Sequence, residues 1–447
     1  MDQSRFPHAR LPGPRSRLRA TVSTALAGGR PEARRRPSSV RKGGWPRAIL
    51  EAVLVLLLAT AIFDPADLVL GFKVELFLLC WALFLLVLGI DRQATRVPVG
   101  LLLYILVFLW VPIASIAWYF VSDGSTPFQG FALLKGYLLI TLCLLLYLAR
   151  INLLPHLCGM LTLLAMCVLG VFFALVVEPS LLTPLQIAGA ATGVALFMER
   201  DYGSGLVMMQ IYFVTSPMLA ISIAYYLGLL RRAPTRRAKL LYLALVLINC
   251  AGMFIAGTRN NMLVALLLPL TMYFLYSRNK VVGLALSSGL LVFGVMLYQQ
   301  DLRTFFDPNE YSNSMKLELL RDYWDLFTQP TVLLTGQGLG AYHFWTPRGW
   351  QDFISELTYL EMIRNFGLMG AAVMMVLLVY PLIYAFLVNR SFEDRDVVVG
   401  YAFYLGMCAS NPNLFSSMGM LILPVILANI FLAERQRARA VHLPASA

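Results

Sequence analysis

Charged side chains are scarce in this chain of 447 residues, where Asp, Glu, Lys and Arg together make up 13%. Soluble domains carry about a quarter. Against that, 59% of the residues are hydrophobic and the mean hydropathy is +0.71. Such a composition excludes a soluble globular protein and defines a polytopic membrane protein. Cysteine is equally sparing: Cys80, Cys143, Cys158, Cys167, Cys250 and Cys408 all lie in or beside apolar runs. That placement excludes a disulfide framework and a zinc motif. Of the four histidines, His8, His156 and His442 fall on the side expected to be cytoplasmic, and His343 is alone in the long polar interruption between residues 299 and 357. No internal repeat is present. The alternation of a membrane barrel is missing, and no small-residue cleavage site follows an early apolar run, so no cleavable signal peptide is expected.

What is present is a succession of apolar runs. A span needs about 20 apolar residues, because unpaired backbone groups in hydrocarbon are costly and helices satisfy them internally. The runs predict about twelve transmembrane helices in an all-α fold. They fall near Arg47 to Phe63, Leu68 to Ile90, Val99 to Phe120, Phe131 to Ala149, Leu153 to Val177 and Gly205 to Leu230. The others fall near Lys239 to Ala256, Asn261 to Ser277, Val281 to Tyr298, Thr358 to Val388, Val397 to Ala409 and Ser416 to Leu432. Leu181 to Met198 is also apolar, but Pro184, Gln186, Gly189 and Gly193 mark it as an interfacial or re-entrant piece.

Charge gives an orientation, since cytoplasmic loops retain Lys and Arg. With the N-terminus inside, most of the 36 basic residues collect on the cytoplasmic side, including the Arg231, Arg232, Arg236, Arg237 and Lys239 cluster. Asp64, Asp67, Asp123 and Glu178 fall outside. Both termini are then cytoplasmic. Residues 1–44, rich in Arg, Pro, Gly and Ser, read as a disordered basic tail that either contacts anionic lipid or acts only as a topology determinant. Residues 45–298 hold the first nine spans, 299–357 a large extracytoplasmic loop, 358–433 the last three spans, and 434–447 a second basic tail.

The loop is the longest polar interruption. Within it, Ser314 to Phe327 places Leu317, Leu320, Tyr323, Trp324 and Phe327 on one helical face, as in a helix lying on the membrane or on other spans. Pro330 stops this helix. Gly336-Gln337-Gly338-Leu339-Gly340 follows, either a run that brings backbone amides to phosphate or sugar, or a tight turn without a ligand. Arg259 is the sharper signal, because it sits in the outer polar break Gly257-Thr258-Arg259-Asn260-Asn261 where basic residues are otherwise excluded. A charge at membrane depth costs at least about 2.5 kcal/mol unless it snorkels or finds a partner. Arg200, between Glu199 and Asp201, is a second outer arginine and equally suits a surface ion pair.

From Gly257 onward the chain resembles the O-antigen polymerase and O-antigen ligase superfamily of bacterial envelope glycosyltransferases. The resemblance rests on Gly257-Thr258-Arg259 with Leu263, the amphipathic helix, Gly336-Gln337-Gly338-Leu339-Gly340, Tyr359-Leu360-Glu361 and Gly367-Leu368-Met369-Gly370, over roughly the C-terminal third to half of the chain. Ligases of this superfamily carry a His where this sequence has Glu356, which favours a polymerase-like member. The resemblance implies a GT-C-like membrane fold in the inner membrane, and a polyprenyl-diphosphate-linked oligosaccharide taken at the outer face. Membrane lipids and a chain-length regulator are the implied partners; no nucleic acid is expected.

A guanidinium suits a diphosphate, since its planar fork binds phosphate oxygens while remaining charged. Arg259, helped by Arg200, Arg348 or Arg364 and by the backbone at Gly338 and Gly340, is the expected diphosphate and glycan site. Glu356, at the junction of loop and span, is the expected base for the acceptor hydroxyl, with His343 as its rival. The transfer expected is inverting, with no cofactor and no metal. Simpler roles compete: Glu356 capping the helix from Thr358, and Glu361 pairing with Arg364 three residues away. The polar turn Ser410-Asn411-Pro412-Asn413 either lines a cavity or merely closes a loop. Outside the enzyme class, the alternative is a flippase for lipid-linked glycans.

Overall fold

A computed structural model of the chain describes residues 44–90, 96–123, 128–201, 207–285, 288–289, 307–308, 310–389 and 394–442. In chain order the first helices are α1 (Trp45–Phe63), α2 (Lys73–Ile90), α3 (Val99–Asp123), α4 (Phe128–Leu138), α5 (Leu142–Ala149), α6 (Leu154–Val177) and α7 (Leu182–Thr192). A hairpin of β1 (Ala195–Asp201) and β2 (Val207–Phe213) follows, then α8 (Leu219–Arg232), α9 (Arg236–Ile255) and α10 (Arg259–Tyr276). Beyond these lie α11 (Tyr311–Phe327), α12 (Pro330–Thr335), a ribbon of β3 (His343–Trp345) and β4 (Trp350–Asp352), α13 (Thr358–Ile383), α14 (Arg395–Cys408) and α15 (Gly419–His442).

Eight stretches among the described residues are long and apolar enough to cross a membrane: α1, α2, α3, α4 with α5, α6, α9, α13 with its continuation to Val388, and α15. The protein is a mostly helical, polytopic membrane protein. Of the other expected spans, Val281 to Tyr298 lies largely outside the described residues, as does the tail before residue 44. Three differ from expectation for a physical reason. α8 and α14 have 14 residues each, which is about 21 Å at 1.5 Å per residue, short of a hydrocarbon core about 30 Å thick. They pack on each other inside the bundle, where Gly400 admits the backbone of Ala220 at a distance no Cβ would allow. α10 is long enough, but Arg259, Asn260 and Asn261 make its first turn polar.

The piece expected to be interfacial is α7 and most of β1, and the span expected to begin at Gly205 is β2 followed by α8. β1 and β2 pair antiparallel with Leu196 opposite Tyr212 and Met198 opposite Gln210. This hairpin satisfies its backbone groups across the pair, which lets a non-helical segment sit against the bundle.

α15 is the central helix, buried over 78% of its span against 22–50% for the other seven. One end of the bundle gathers the basic residues. Arg47 donates to the carbonyl of Arg150 at 2.9 Å, Arg435 lies over the Tyr147 ring, and buried Asp396 pairs with Arg231 and Arg232 at 3.3 and 3.5 Å. The other end carries the Arg259 turn, the β1–β2 hairpin and residues 410–417. The connection from α1 to α2 also packs there, since Lys73 Nζ donates to the carbonyl of Asp64 at 2.8 Å and reaches Ser417 Oγ at 3.5 Å.

Candidate functional site

The break between α9 and α10 is a sharp turn. Gly257 takes φ of 68°, a left-handed value that glycine adopts without penalty. Thr258 then caps α10, its hydroxyl accepting from the backbone N–H of Asn261 at 3.2 Å. Arg259 therefore stands at the first helical position and points toward the start of α11. Its Nη1 donates to Asn313 Oδ1 at 3.0 Å, and its Nη2 pairs with Glu310 Oε2 at 3.1 Å, with the guanidinium side chain 14% exposed. The arginine is thus partnered within the protein rather than snorkelling alone. The same Glu310 caps α11 by accepting from the N–H of Asn313.

The turn at 410–413 ties this region together. Asn260 Nδ2 donates to Ser410 Oγ at 2.6 Å, Thr358 Oγ1 donates to the carbonyl of Asn411 at 2.6 Å, and Asn413 Nδ2 reaches Tyr212 OH at 3.3 Å. Burial pushes the Tyr212 phenol up to about 12; the Asn413 bond opposes this, while Cys408 and the Glu356 carboxylate add to it. The Glu356 carboxylate makes no cap bond to α13, whose N-cap is Leu357 without a side-chain hydrogen bond. Instead it lies 3.7 Å from Arg348 Nη2, half-buried. Arg348 also holds Asp352 at 2.7 Å and the carbonyl of Ile354. Beside the turn, an apolar groove of about 400 Å³ runs between α10 and α14, lined by Leu263, Val264, Leu267, Phe403 and Met407 and headed by Asn260.

Arg364 has a different environment. It is fully buried, and all five of its N–H donors are engaged by protein groups. Nε and Nη2 bond Glu361 at 3.0 and 2.5 Å, Nη1 bonds Gln337 and the carbonyl of Ala341, and Nη2 also bonds the carbonyl of Phe353. Tyr323 OH donates to Glu361 Oε2 at 2.7 Å; burial and the neighbouring carboxylate raise its phenol well above the ordinary range, so it stays a donor. Arg364 therefore pins the loop to α13, as the simpler pairing with Glu361 implied.

The glycine run is likewise accounted for by packing. Gly338 and Gly340 have φ of 100° and 89°, and a Cβ on either would collide, with Tyr119 on α3 and with Gly130 on α4 respectively. Ser115 Oγ fastens the run by accepting from the N–H of Leu339 at 2.8 Å. Of the predicted amphipathic face, Tyr323 turns inward onto Trp345, while Leu317, Leu320 and Trp324 face outward. Pro330 opens α12 instead of only ending α11. His343 sits on β3, its ring 4.6 Å from that of Trp345. Burial, then the Arg364 charge, lower its pKa below 6.5, with Asp322 and Glu361 opposing.

The structure brings Asn260, the neighbour of Arg259, together with Ser410, and Thr358 together with Asn411; Glu356 lies beside Arg348, and His343 and Arg364 both lie against Trp345. Arg200 lies on β1 opposite Met208, and its side chain is outside the described residues. Gln210 and Tyr212 are hidden in sequence by the apolar run of β2, and Asn261 by its place at the start of an expected span. The pair Asp394-Arg395-Asp396, of the Asp-x-Asp form, stands at the basic end. There Asp394 accepts from Asn429 and Asp396 holds the two arginines. Among the described residues no group of three or more metal-ligating side chains forms. No protein-family model matches the chain, and none of the curated proteins does.

Proposed function

We propose that this protein is a membrane glycosyltransferase that polymerises polysaccharide repeat units, related to the O-antigen polymerase and ligase superfamily. The observation that carries the proposal is the apolar groove between α10 and α14, headed by Asn260, with the partly buried Arg259 as the preceding residue of α10. A cation above an apolar groove suits an amphiphile with an anionic head, and a polyprenyl diphosphate is such a molecule. In this reading the diphosphate replaces Glu310 and Asn313 on Arg259, and the isoprenoid chain follows the groove. The polar end faces the outside of the inner membrane, the basic end and both termini the cytoplasm, as the charge bias favours. A GT-C-like fold belongs to the same proposal.

The chemistry follows from the donor. The acceptor hydroxyl oxygen attacks C1 of the donor sugar, the bond from C1 to the diphosphate oxygen breaks, and the configuration inverts. The hydroxyl proton passes to Glu356, and Arg259 stabilises the departing polyprenyl diphosphate. Glu356 suits the base role because it caps no helix and is half-buried beside Arg348. Arg348 would orient it; Arg364, with every donor engaged, holds the loop.

The test is the glycan made by cells lacking the protein and complemented with variants. Single repeat units in place of long chains are expected on loss, and Arg259→Ala is expected to restore none although it inserts in the membrane. Long lipid-linked chains left unattached would indicate a ligase. Units trapped on the inner leaflet would indicate a flippase and overturn the proposal.

A further inference from the structure

Asn261 is fully buried in the first turn of α10, and neither its amide nitrogen nor its amide oxygen has a hydrogen-bond partner among the described residues. Gln210 on β2 is 4% exposed, and its Oε1 is likewise without a partner there. The two side chains flank one turn. A Cβ on Gly257 would lie 2.8 Å from Gln210 Cγ, and the Thr258 hydroxyl closes the same turn onto the N–H of Asn261. Unpaired buried polar groups cost about 1–3 kcal/mol each and are few in native proteins. Two of them around the turn that carries Arg259 point to a ligand.

We infer that Asn261 and Gln210 recognise hydroxyls of the sugar next to the diphosphate, an assignment that rests on the function proposed above. The chemistry of the orphaned atoms selects a sugar over a phosphate. Rotating an amide exchanges its nitrogen and oxygen, yet in either orientation Asn261 leaves both a donor and an acceptor unpaired. A phosphate oxygen accepts and does not donate, so it answers only half of that amide. A hydroxyl does both, and neighbouring hydroxyls on a pyranose can engage the donor and the acceptor of one carboxamide together. Gln210 is held in position by its place opposite Met198 in the β1–β2 ladder.

The discriminating experiment uses the full chain, purified in lipid nanodiscs, with Asn261→Leu, Asn261→Ala and Gln210→Met. Two probes are compared by titration: polyprenyl diphosphate without a sugar, and the same lipid bearing one N-acetylhexosamine. The variants are expected to be at least as stable to heat as the wild type, because an unpaired polar group has been removed. They are expected to bind the bare lipid as the wild type does and the sugar-bearing lipid at least about tenfold more weakly, the loss of one good hydrogen-bonding contact. Unchanged sugar binding, equal weakening toward both probes, or a marked drop in stability in both Asn261 variants would each overturn the inference, the last by making the amide a packing element. If the wild type binds neither probe, the reading of the whole site falls and this assignment with it.

Discussion

Replacing Arg364 by Met tests how the loop is held. The substitution keeps most of the side-chain volume and removes five donors at once. It leaves Glu361, 6% exposed, with only Tyr323 and Asn365 as donors, and it strips the partner from Gln337 Oε1 and from the carbonyls of Ala341 and Phe353. Breaking a buried ion pair from one side costs about 3–5 kcal/mol. Removing the carboxylate charge as well, in Arg364→Met with Glu361→Gln, leaves only the unpaired acceptors of Gln337, Ala341 and Phe353, at about 1–3 kcal/mol each, which the single variant leaves too. The double variant is therefore expected to be more stable than Arg364→Met alone. Denaturant unfolding in detergent micelles, followed by tryptophan fluorescence, measures both; Trp345 lies in this cluster. Limited proteolysis is expected to cut Arg364→Met between residues 337 and 353. A loss below about 1 kcal/mol for the single variant, or strict additivity of the two changes, would refute the reasoning.

Gly338→Ala is expected to cost about 3 kcal/mol or more, since a Cβ collides with Tyr119 and φ is 100°. Gly349→Ala, with φ of 70° and open space around it, is expected to cost only about 1 kcal/mol of backbone strain. If the glycine run were instead a ligand cradle, Gly338→Ala would spare stability in the same unfolding assay and abolish activity. His343 has a folded pKa below its ordinary 6.5, so the unfolded chain binds the proton more readily. The stability it contributes is present above pH 6.5 and is lost as pH falls through that value toward the folded pKa. His343→Phe is expected to flatten this acid loss in a pH series of unfolding curves. Glu356→Gln is expected to lower kcat about 10²–10⁴-fold with substrate binding retained; wild-type turnover would transfer the base role to His343.

Long apolar runs were read reliably because a lipid-facing helix needs its whole length apolar, and α1, α3, α6 and α9 fall close to the predicted limits. The hairpin escaped notice because β2 reads Val-Met-Met-Gln-Ile-Tyr-Phe, as apolar as a helix start, and only its pairing with β1 separates the two. α8 and α14 are too short to span, which a hydropathy run cannot register when the helix is sheltered by its neighbours. At the site, Arg259 was conspicuous because its charge broke an apolar pattern. For Arg364 the sequence offers either help to Arg259 or a pair with Glu361, and only tertiary contacts reveal that its donors are spent on Glu361, Gln337 and two carbonyls. The glycine run carries the same residues whether it admits a ligand or a neighbouring helix, and Tyr119 and Gly130 decide for the helix.

The central claim is that Arg259 serves glycan transfer from a polyprenyl diphosphate. The direct measurement is the reaction of purified protein in nanodiscs with polyprenyl-diphosphate-linked repeat units and a metal chelator, following free polyprenyl diphosphate and chain length together. Wild type is expected to release one polyprenyl diphosphate for each unit added, and Arg259→Ala to do so at least about 100-fold more slowly. No chain extension by the wild type, or extension by Arg259→Ala at the wild-type rate, would contradict the account.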